Sequence, residues 1–455
     1  MIFRRFSVDP LAQVSYLVAD GGEALVVDPQ RDVLVYLDAA REAGLRIRWA
    51  LATHVHADFV TGLADLHAAT GASIVHGARF DGPFAGLRMA DGECLQLGGL
   101  RVRAIETPGH TPESVCWLVE RDDGPARLLS GDTLFVGDVG RPDLVAARGL
   151  APDVMARALW HSLRERLASV PDDTEIWPAH GAGSACGSCI GDAASSTMGA
   201  ERATNWAMVE DDRERFVARL IEAQRTAPHW FQRIAGINRA GPRPFEALEE
   251  PRAMDAGAVA TAIAGGAVLL DVRSAMEHGA GHWPQALNIG LAPGDFEPWA
   301  ANLIDAERDV VVHAAGPADA GRARIRLARV GLERVIGVTS ALPKPARQLP
   351  QVSVRELAER LASGAVAQVI DVRRPAEYAA GHVPRAVAAE LGPSLGANPA
   401  LGSLDRDRPT AVICAGGYRS SAACGLLRDA GFRQLVNVAG GTRAWLASGL
   451  PAERA

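Results

Sequence analysis

At 455 residues, 48% hydrophobic and 22% charged, the chain has the composition of a soluble globular protein of roughly three domains. A formal net charge of −7, with Lys and Arg scattered, excludes the basic face of a nucleic-acid binder. No apolar run follows the start at Met1, none approaches the ~18 residues of a membrane span, and six cysteines are too few for a disulfide framework, so a cytoplasmic protein with reduced thiols and no membrane partner is expected.

In chain order, apolar runs predict short strands over residues 14–18, 24–27, 49–52, 101–106, 115–119 and 127–129. Helical periodicity predicts helices over 33–43 and over 154–169, the latter through Met155, Ala158, Leu159, Leu163 and Leu167. A helical stretch over 202–225 is expected to close this part. Candidate metal ligands fall just after apolar runs: His54, His56 and Asp58 in Thr53-His54-Val55-His56-Ala57-Asp58-Phe59, then His110, Asp132 and His180.

This order of signals resembles the metallo-β-lactamase fold over roughly residues 1–245. It implies an α/β protein opening on an αββα sandwich. The stretch Gly131-Asp132-Thr133-Leu134-Phe135-Val136-Gly137-Asp138-Val139-Gly140-Arg141-Pro142-Asp143-Leu144 is similar to the persulfide dioxygenase branch, and above all to its members fused to rhodanese domains. That resemblance implies one Fe(II) per chain on His54, His110 and Asp132, a 2-His-1-carboxylate set that leaves positions open for substrate and O2. In hydrolases of this fold a histidine ends the first motif and helps hold a second metal. Phe59 stands there instead, so His56, Asp58 and His180 are expected to orient ligands or waters. Glyoxalase II hydrolases share the fold, and the alternative is a Zn2+ thioester hydrolase with appended sulfur-binding modules.

Arg141 is a candidate for binding a substrate carboxylate, with an ion pair to Asp138 or Asp143 as the structural alternative. Cys186, in Cys186-Gly187-Ser188-Cys189 just past His180, is a candidate sulfur-handling thiol, with a passive thiol as its alternative. Cys94, Cys116 and Cys424 are expected in the core.

The second half repeats itself at an offset of 100 residues: Leu270-Asp271-Val272-Arg273 recurs as Ile370-Asp371-Val372-Arg373, and Gly281-His282 as Gly381-His382. Strands alternating with helices predict a parallel α/β sheet in each copy. Proline clusters at Pro242–Pro244 and Pro343–Pro345 set the expected domains at 252–342 and 350–455. Asp271, Asp371, His282 and His382 occur in both copies and look architectural.

Cys414-Ala415-Gly416-Gly417-Tyr418-Arg419-Ser420 follows an apolar strand and opens a helix. Backbone N–H groups of such a loop converge on the thiol and favour its anion, Gly416 and Gly417 permit the turn, and Arg419 adds positive charge. Four residues between Cys414 and Arg419 make a cradle narrower than a phosphatase loop. The loop resembles the rhodanese active site, and the second half resembles two rhodanese domains. In the first copy His313 is expected at the place of the cysteine, so that copy should carry no persulfide. The resemblances together imply oxidation of a low-molecular-weight persulfide, of glutathione or coenzyme A type, by O2 to sulfite, coupled to sulfur transfer at Cys414 that forms thiosulfate. A homo-oligomer is expected.

Overall fold

The computed structural model describes residues 1–455 apart from Asp123, Arg225, Pro293 and Ala455. The chain divides into two compact units, Met1–Leu248 with Ala328–Gly331, and Glu249–Leu327 with Leu332–Ala455.

The first unit holds two six-stranded sheets. One runs, in spatial order, Ile2–Val8, Gln13–Asp20, Glu23–Val27, Arg46–Leu51, Ser73–Gly77 and Leu87–Met89. The other runs Ser196–Thr197, Glu175–Pro178, Arg127–Gly131, Val115–Glu120, Leu100–Glu106 and Cys94–Leu97. Side chains of a strand alternate between faces, and this alternation builds the layers. Val14, Tyr16, Val18, Leu25 and Val27 face the second sheet and share a core with Val102, Val115 and Trp117. Leu17, Ala19, Ala24 and Val26 face the other way, onto helices Leu34–Glu42 and Leu63–Thr70. Cys116, Leu118 and Leu128 cover the outer face of the second sheet with helices Pro152–His161 and Arg213–Glu222. The result is an αββα sandwich.

Three expectations shift. The helix expected over 154–169 starts at Pro152 and passes at Ser162 into a single π-helical turn, Ser162–Arg166. The stretch expected over 202–225 is broken into Met198–Thr204, Trp206–Val209 and Arg213–Glu222, because Asn205 and Asp212 accept the N–H groups of Ala207 and Arg215 and start new helices. Arg225 lies outside the described residues. Cys94 is exposed on an edge strand, whereas Cys116 and Cys424 are buried as expected.

The second unit holds two five-stranded, all-parallel sheets of the same topology. Their strands run Arg252–Ala253, Val335–Thr339, Val310–His313, Val268–Asp271, Leu287–Asn288, and Gln351–Val352, Leu435–Val438, Thr410–Ile413, Gln368–Asp371, Val387–Ala388. Arg273 pairs with Asp271, and Arg373 with Asp371, through equivalent hydrogen bonds. The register corrects one expectation. Asp271 lies opposite His313 and Asp371 opposite Ile413, so His313 matches Ile413 and the place of Cys414 is taken by Ala314. At the same offset Pro317 stands for Gly417 and Asp319 for Arg419.

Candidate metal centre and cysteine loop

Every candidate ligand sits just past the C-terminal end of a strand. His54, His56 and Asp58 follow Arg46–Leu51, His110 follows Leu100–Glu106, Asp132 follows Arg127–Gly131, and His180 follows Glu175–Pro178. All six are buried. One ligand atom from each of His54, His110 and Asp132 lies within 4.8 Å of the other two, and the same holds for His56, Asp58 and His180, and for Asp132, His180 and Cys186.

Local hydrogen bonds aim the first trio. Asp28, on the turn after Glu23–Val27, accepts the Thr53 N–H at 2.8 Å and the Thr53 hydroxyl at 2.7 Å. The Thr53 oxygen then lies 2.9 Å from His54 Nδ1 and accepts its proton, which frees Nε2 as a ligand. His110 Nδ1 donates to the Arg141 carbonyl at 2.8 Å, which frees its Nε2 in turn. These two Nε2 atoms stand 3.7 Å and 3.3 Å from Asp132 Oδ2. Gly131 has φ +55°, and a Cβ there would meet the Thr53 side chain at 2.6 Å, so only glycine lets the Asp132 turn approach Thr53. Burial, reinforced by the neighbouring histidines, lowers the pKa of His54 well below its usual value, and burial also lowers that of His110. Both are therefore neutral and able to ligate.

The residues fit a metal. His54 Nε2 and both Asp132 carboxylate oxygens are buried without a hydrogen-bond partner. Such atoms are costly to bury unpaired, and a divalent cation would satisfy all three.

Around this trio, His180 Nε2 lies 3.4 Å from Asp58 and 3.6 Å from Asp132. Phe59 is buried, its ring stacked obliquely on His56 at 4.3 Å. Although burial opposes it, Asp28 at 3.1 Å, with Asp58 beyond, raises the pKa of His56. Cys186 is buried beside Asp132 and His180, and burial together with the Asp58 and Asp132 charges pushes its thiol well up. Arg141 takes the structural alternative. It is buried, paired with Asp143 at 2.7 and 2.8 Å, and it donates to the Ala185 carbonyl. Its own backbone N–H bonds to the Cys186 carbonyl, so one residue links the His110 and Cys186 loops.

Sequence reasoning missed Asp28 and Glu113, and offered Asp138 only as a partner for Arg141, which pairs with Asp143 instead. Asp138 accepts the N–H groups of Ser188 and Cys189 and so shapes the cysteine turn. Glu113 accepts the Val55 N–H between two ligands.

In the second unit Cys414 is buried at the end of strand Thr410–Ile413. Its Sγ accepts the Gly417 N–H at 3.1 Å and lies 3.4 Å from the Ser420 hydroxyl. Gly417 has φ +93°. Gly441 has φ +57°, and a Cβ there would come within 2.2 Å of the Cys414 carbonyl oxygen. Gly416 leaves its face open toward Arg443. Arg419 is paired bidentately with Glu377, both contacts 2.7 Å, which holds the Glu377 carboxyl down to about 2.

A buried His/Asp metal site on an αββα sandwich, in one chain with a thiol cradled at a helix start, defines a metal-binding enzyme coupled to rhodanese modules. The chain belongs to the metallo-β-lactamase superfamily and carries two rhodanese-like domains. The superfamily model matches residues 8–180, and the rhodanese-like domain model matches 255–340 and 353–448. A hydroxyacylglutathione hydrolase of Albidiferax ferrireducens is 36% identical over 165 residues, 36% of this chain and 60% of that protein. The mitochondrial persulfide dioxygenase ETHE1 of Homo sapiens is 30% identical over 169 residues, 36% of this chain and 63% of that protein. The match thus spans less than two thirds of either relative. A probable metallo-hydrolase of Burkholderia pseudomallei is 32% identical over 205 residues, 37% of this chain and 68% of that protein. A solved metallo-β-lactamase from Staphylococcus aureus aligns with 75% of this chain and 99% of its own, at a TM-score of 0.65 and 29% identity. No helix among the described residues is long and apolar enough to cross a membrane.

Proposed function

We propose that the chain oxidises a low-molecular-weight thiol persulfide with O2 to sulfite and transfers sulfane sulfur at Cys414 to form thiosulfate, acting in the cytoplasm. The observation that carries this reading is the pairing of the His54/His110/Asp132 trio, with Phe59 packed on His56 in place of a further ligand, and the Cys414 loop in one chain. The likeness to a persulfide dioxygenase supports it.

The overall oxidation balances as RSSH + O2 + H2O giving RSH, sulfite and two protons. Fe(II), held by His54, His110 and Asp132, would supply the one-electron chemistry that lets O2 react with sulfur. The chain's own residues do the rest. Asp28–Thr53 and the Arg141 carbonyl hold the two imidazoles in the tautomer that presents Nε2. His180 lies beside both Asp58 and Asp132, where it and Asp58 orient water. Burial of the whole cluster excludes bulk water. At the second site the Cys414 thiolate attacks the outer sulfur of a persulfide, releases RSH and keeps that sulfur. Sulfite then removes it as thiosulfate and regenerates the thiolate. The Gly417 N–H stabilises the sulfur anion at both stages, and the Glu377–Arg419 pair places positive charge beside the loop.

The second trio, His56/Asp58/His180, supports one alternative, a zinc thioester hydrolase with two metals, in line with the glyoxalase-type relative. O2 uptake with glutathione persulfide, on protein of known metal content beside His110→Ala, separates the readings. Iron-dependent uptake that yields sulfite or thiosulfate and is lost in the variant supports the dioxygenase. An iron-loaded protein without uptake overturns it, and bound zinc with thioester cleavage supports the hydrolase.

A further inference from the structure

The turn that carries His56, Asp58 and Phe59 is buried, yet it has neither helix nor strand to satisfy its backbone. Among the described residues no backbone–backbone hydrogen bond closes it between His56 and Phe59. Buried carbonyls are costly without partners, so this turn must take them from a side chain. Asn238 supplies them. Its Nδ2 donates to the His56 carbonyl at 2.8 Å and to the Phe59 carbonyl at 2.7 Å, and its Oδ1 accepts the Thr61 N–H at 2.9 Å. Both hydrogens and the oxygen of one amide are thus spent on the stretch from His56 to Thr61.

The position of this amide is informative. Phe231, Ile234 and Asn238 form the buried face of helix Phe231–Ala240, at i, i+3 and i+7. An apolar side chain is expected there, and an amide is tolerated only because it is bonded. Asn238 is 4% exposed. With His54, His56 and Thr61 it lines a space of only about 10 Å3, room for roughly one water, so the clamp has no slack.

What the clamp fixes follows from what the turn holds. The two carbonyls bracket Asp58, whose carboxylate lies 3.4 Å from His180 Nε2. On the same turn His56 Nε2 stands 3.1 Å from Asp28, with the Phe59 ring stacked on His56 at 4.3 Å. Asn238 bonds none of His54, His110 and Asp132. A misplacement of ~1 Å in groups that orient reactants costs about a hundredfold in rate.

We propose that Asn238 is a positioning residue of the metal centre: acting through the backbone on either side of Asp58, it sets the turnover of the loaded site and not its iron content. The inference rests on the dioxygenase reading of that site.

The test uses the full, iron-loaded chain as wild type, Asn238→Asp and Asn238→Ala. Aspartate keeps the shape and the acceptor for Thr61 but has no NH2 group for the two carbonyls. Alanine leaves a void that admits water to them, and it gives the same comparison should the aspartate variant not fold. Iron per chain, the electron paramagnetic resonance spectrum of the ferrous nitrosyl adduct and O2 uptake with glutathione persulfide are measured on each. Iron per chain should match wild type, the nitrosyl signal should change, and kcat per bound iron should fall about tenfold or more. A nitrosyl signal and a kcat per iron equal to wild type overturn the proposal. So does activity that falls only in proportion to bound iron, or failure of both variants to fold, since either marks a residue that merely holds the fold. Iron-loaded wild type without O2 uptake overturns the dioxygenase reading instead, and the nitrosyl spectra still decide whether Asn238 positions the site.

Discussion

Arg141 shows how far a side chain can act from the chemistry it serves. Its guanidinium is held by Asp143 and the Ala185 carbonyl, its own carbonyl fixes His110, and its pairing with Asp143 fixes that carbonyl. Arg141→Gln is expected to weaken metal binding by about tenfold or more, as supporting residues of metal sites do, and competition against a chelator would measure it. Glu377 answers to pH. Its carboxyl is held down to about 2 chiefly by the hydrogen bonds from Arg419, against 4.5 for the free group, so the pair's contribution is complete above about pH 4.5 and is lost as pH falls through 2. The stability gap between wild type and Glu377→Gln, followed by urea unfolding, should therefore shrink across that window and stay constant from pH 5 to 8. The six His and Asp candidates at the metal centre were legible because their spacing is a motif. Asp28, Glu113 and Asp138 were not, because each is a single carboxylate whose partner lies 25 or more residues away along the chain.

The elements were legible where burial decides the pattern. Gln13–Asp20 is buried on both faces and reads as a strand by its apolar run. Ile2–Val8 has few buried residues and carries Arg4 and Arg5, so nothing in its pattern separates it from a loop; its partner Gln13–Asp20 makes it a strand. The helix from Pro152 kept its apolar period through Leu163 and Leu167, but period alone does not distinguish an α from a π turn. The loop that cradles Cys414 depends on an element far along the chain, the start of helix Gly441–Ala447. Gly441→Ala forces a Cβ into the Cys414 backbone at a left-handed φ. It is expected to abolish sulfur loading of Cys414 while metal content and O2 uptake remain, which paired assays on one preparation would show.

For the molecule as a whole, the function proposed above has the Cys414 site consume the sulfite formed at the metal centre. Cys414→Ser should leave O2 uptake intact and convert the product from thiosulfate to sulfite, measured by ion chromatography of the same reaction mixture. The loss of thiosulfate without loss of uptake distinguishes a coupled pair of activities from one shared site. The overall architecture was readable because each module announces itself, the first by ligand-bearing strand ends and the second by its own repetition. The residue at the place of Cys414 in the first copy was legible too, since the 100-residue offset of the repeat leads to Ala314 and not to His313, and the strand register agrees.

That assignment bears on what the first copy can do. Opposite Cys414 the first copy has Ala314; opposite Gly417, whose N–H holds the sulfur, it has Pro317, which has no N–H to give and cannot adopt that φ; and opposite Arg419 it has Asp319. No single substitution gives this copy a sulfur-holding loop, since a thiol at 314 would lack its donor and a glycine at 317 would have no sulfur to hold. A copy that lacks the thiol, its N–H donor and the neighbouring positive charge together offers its sister surface contacts and no sulfur chemistry.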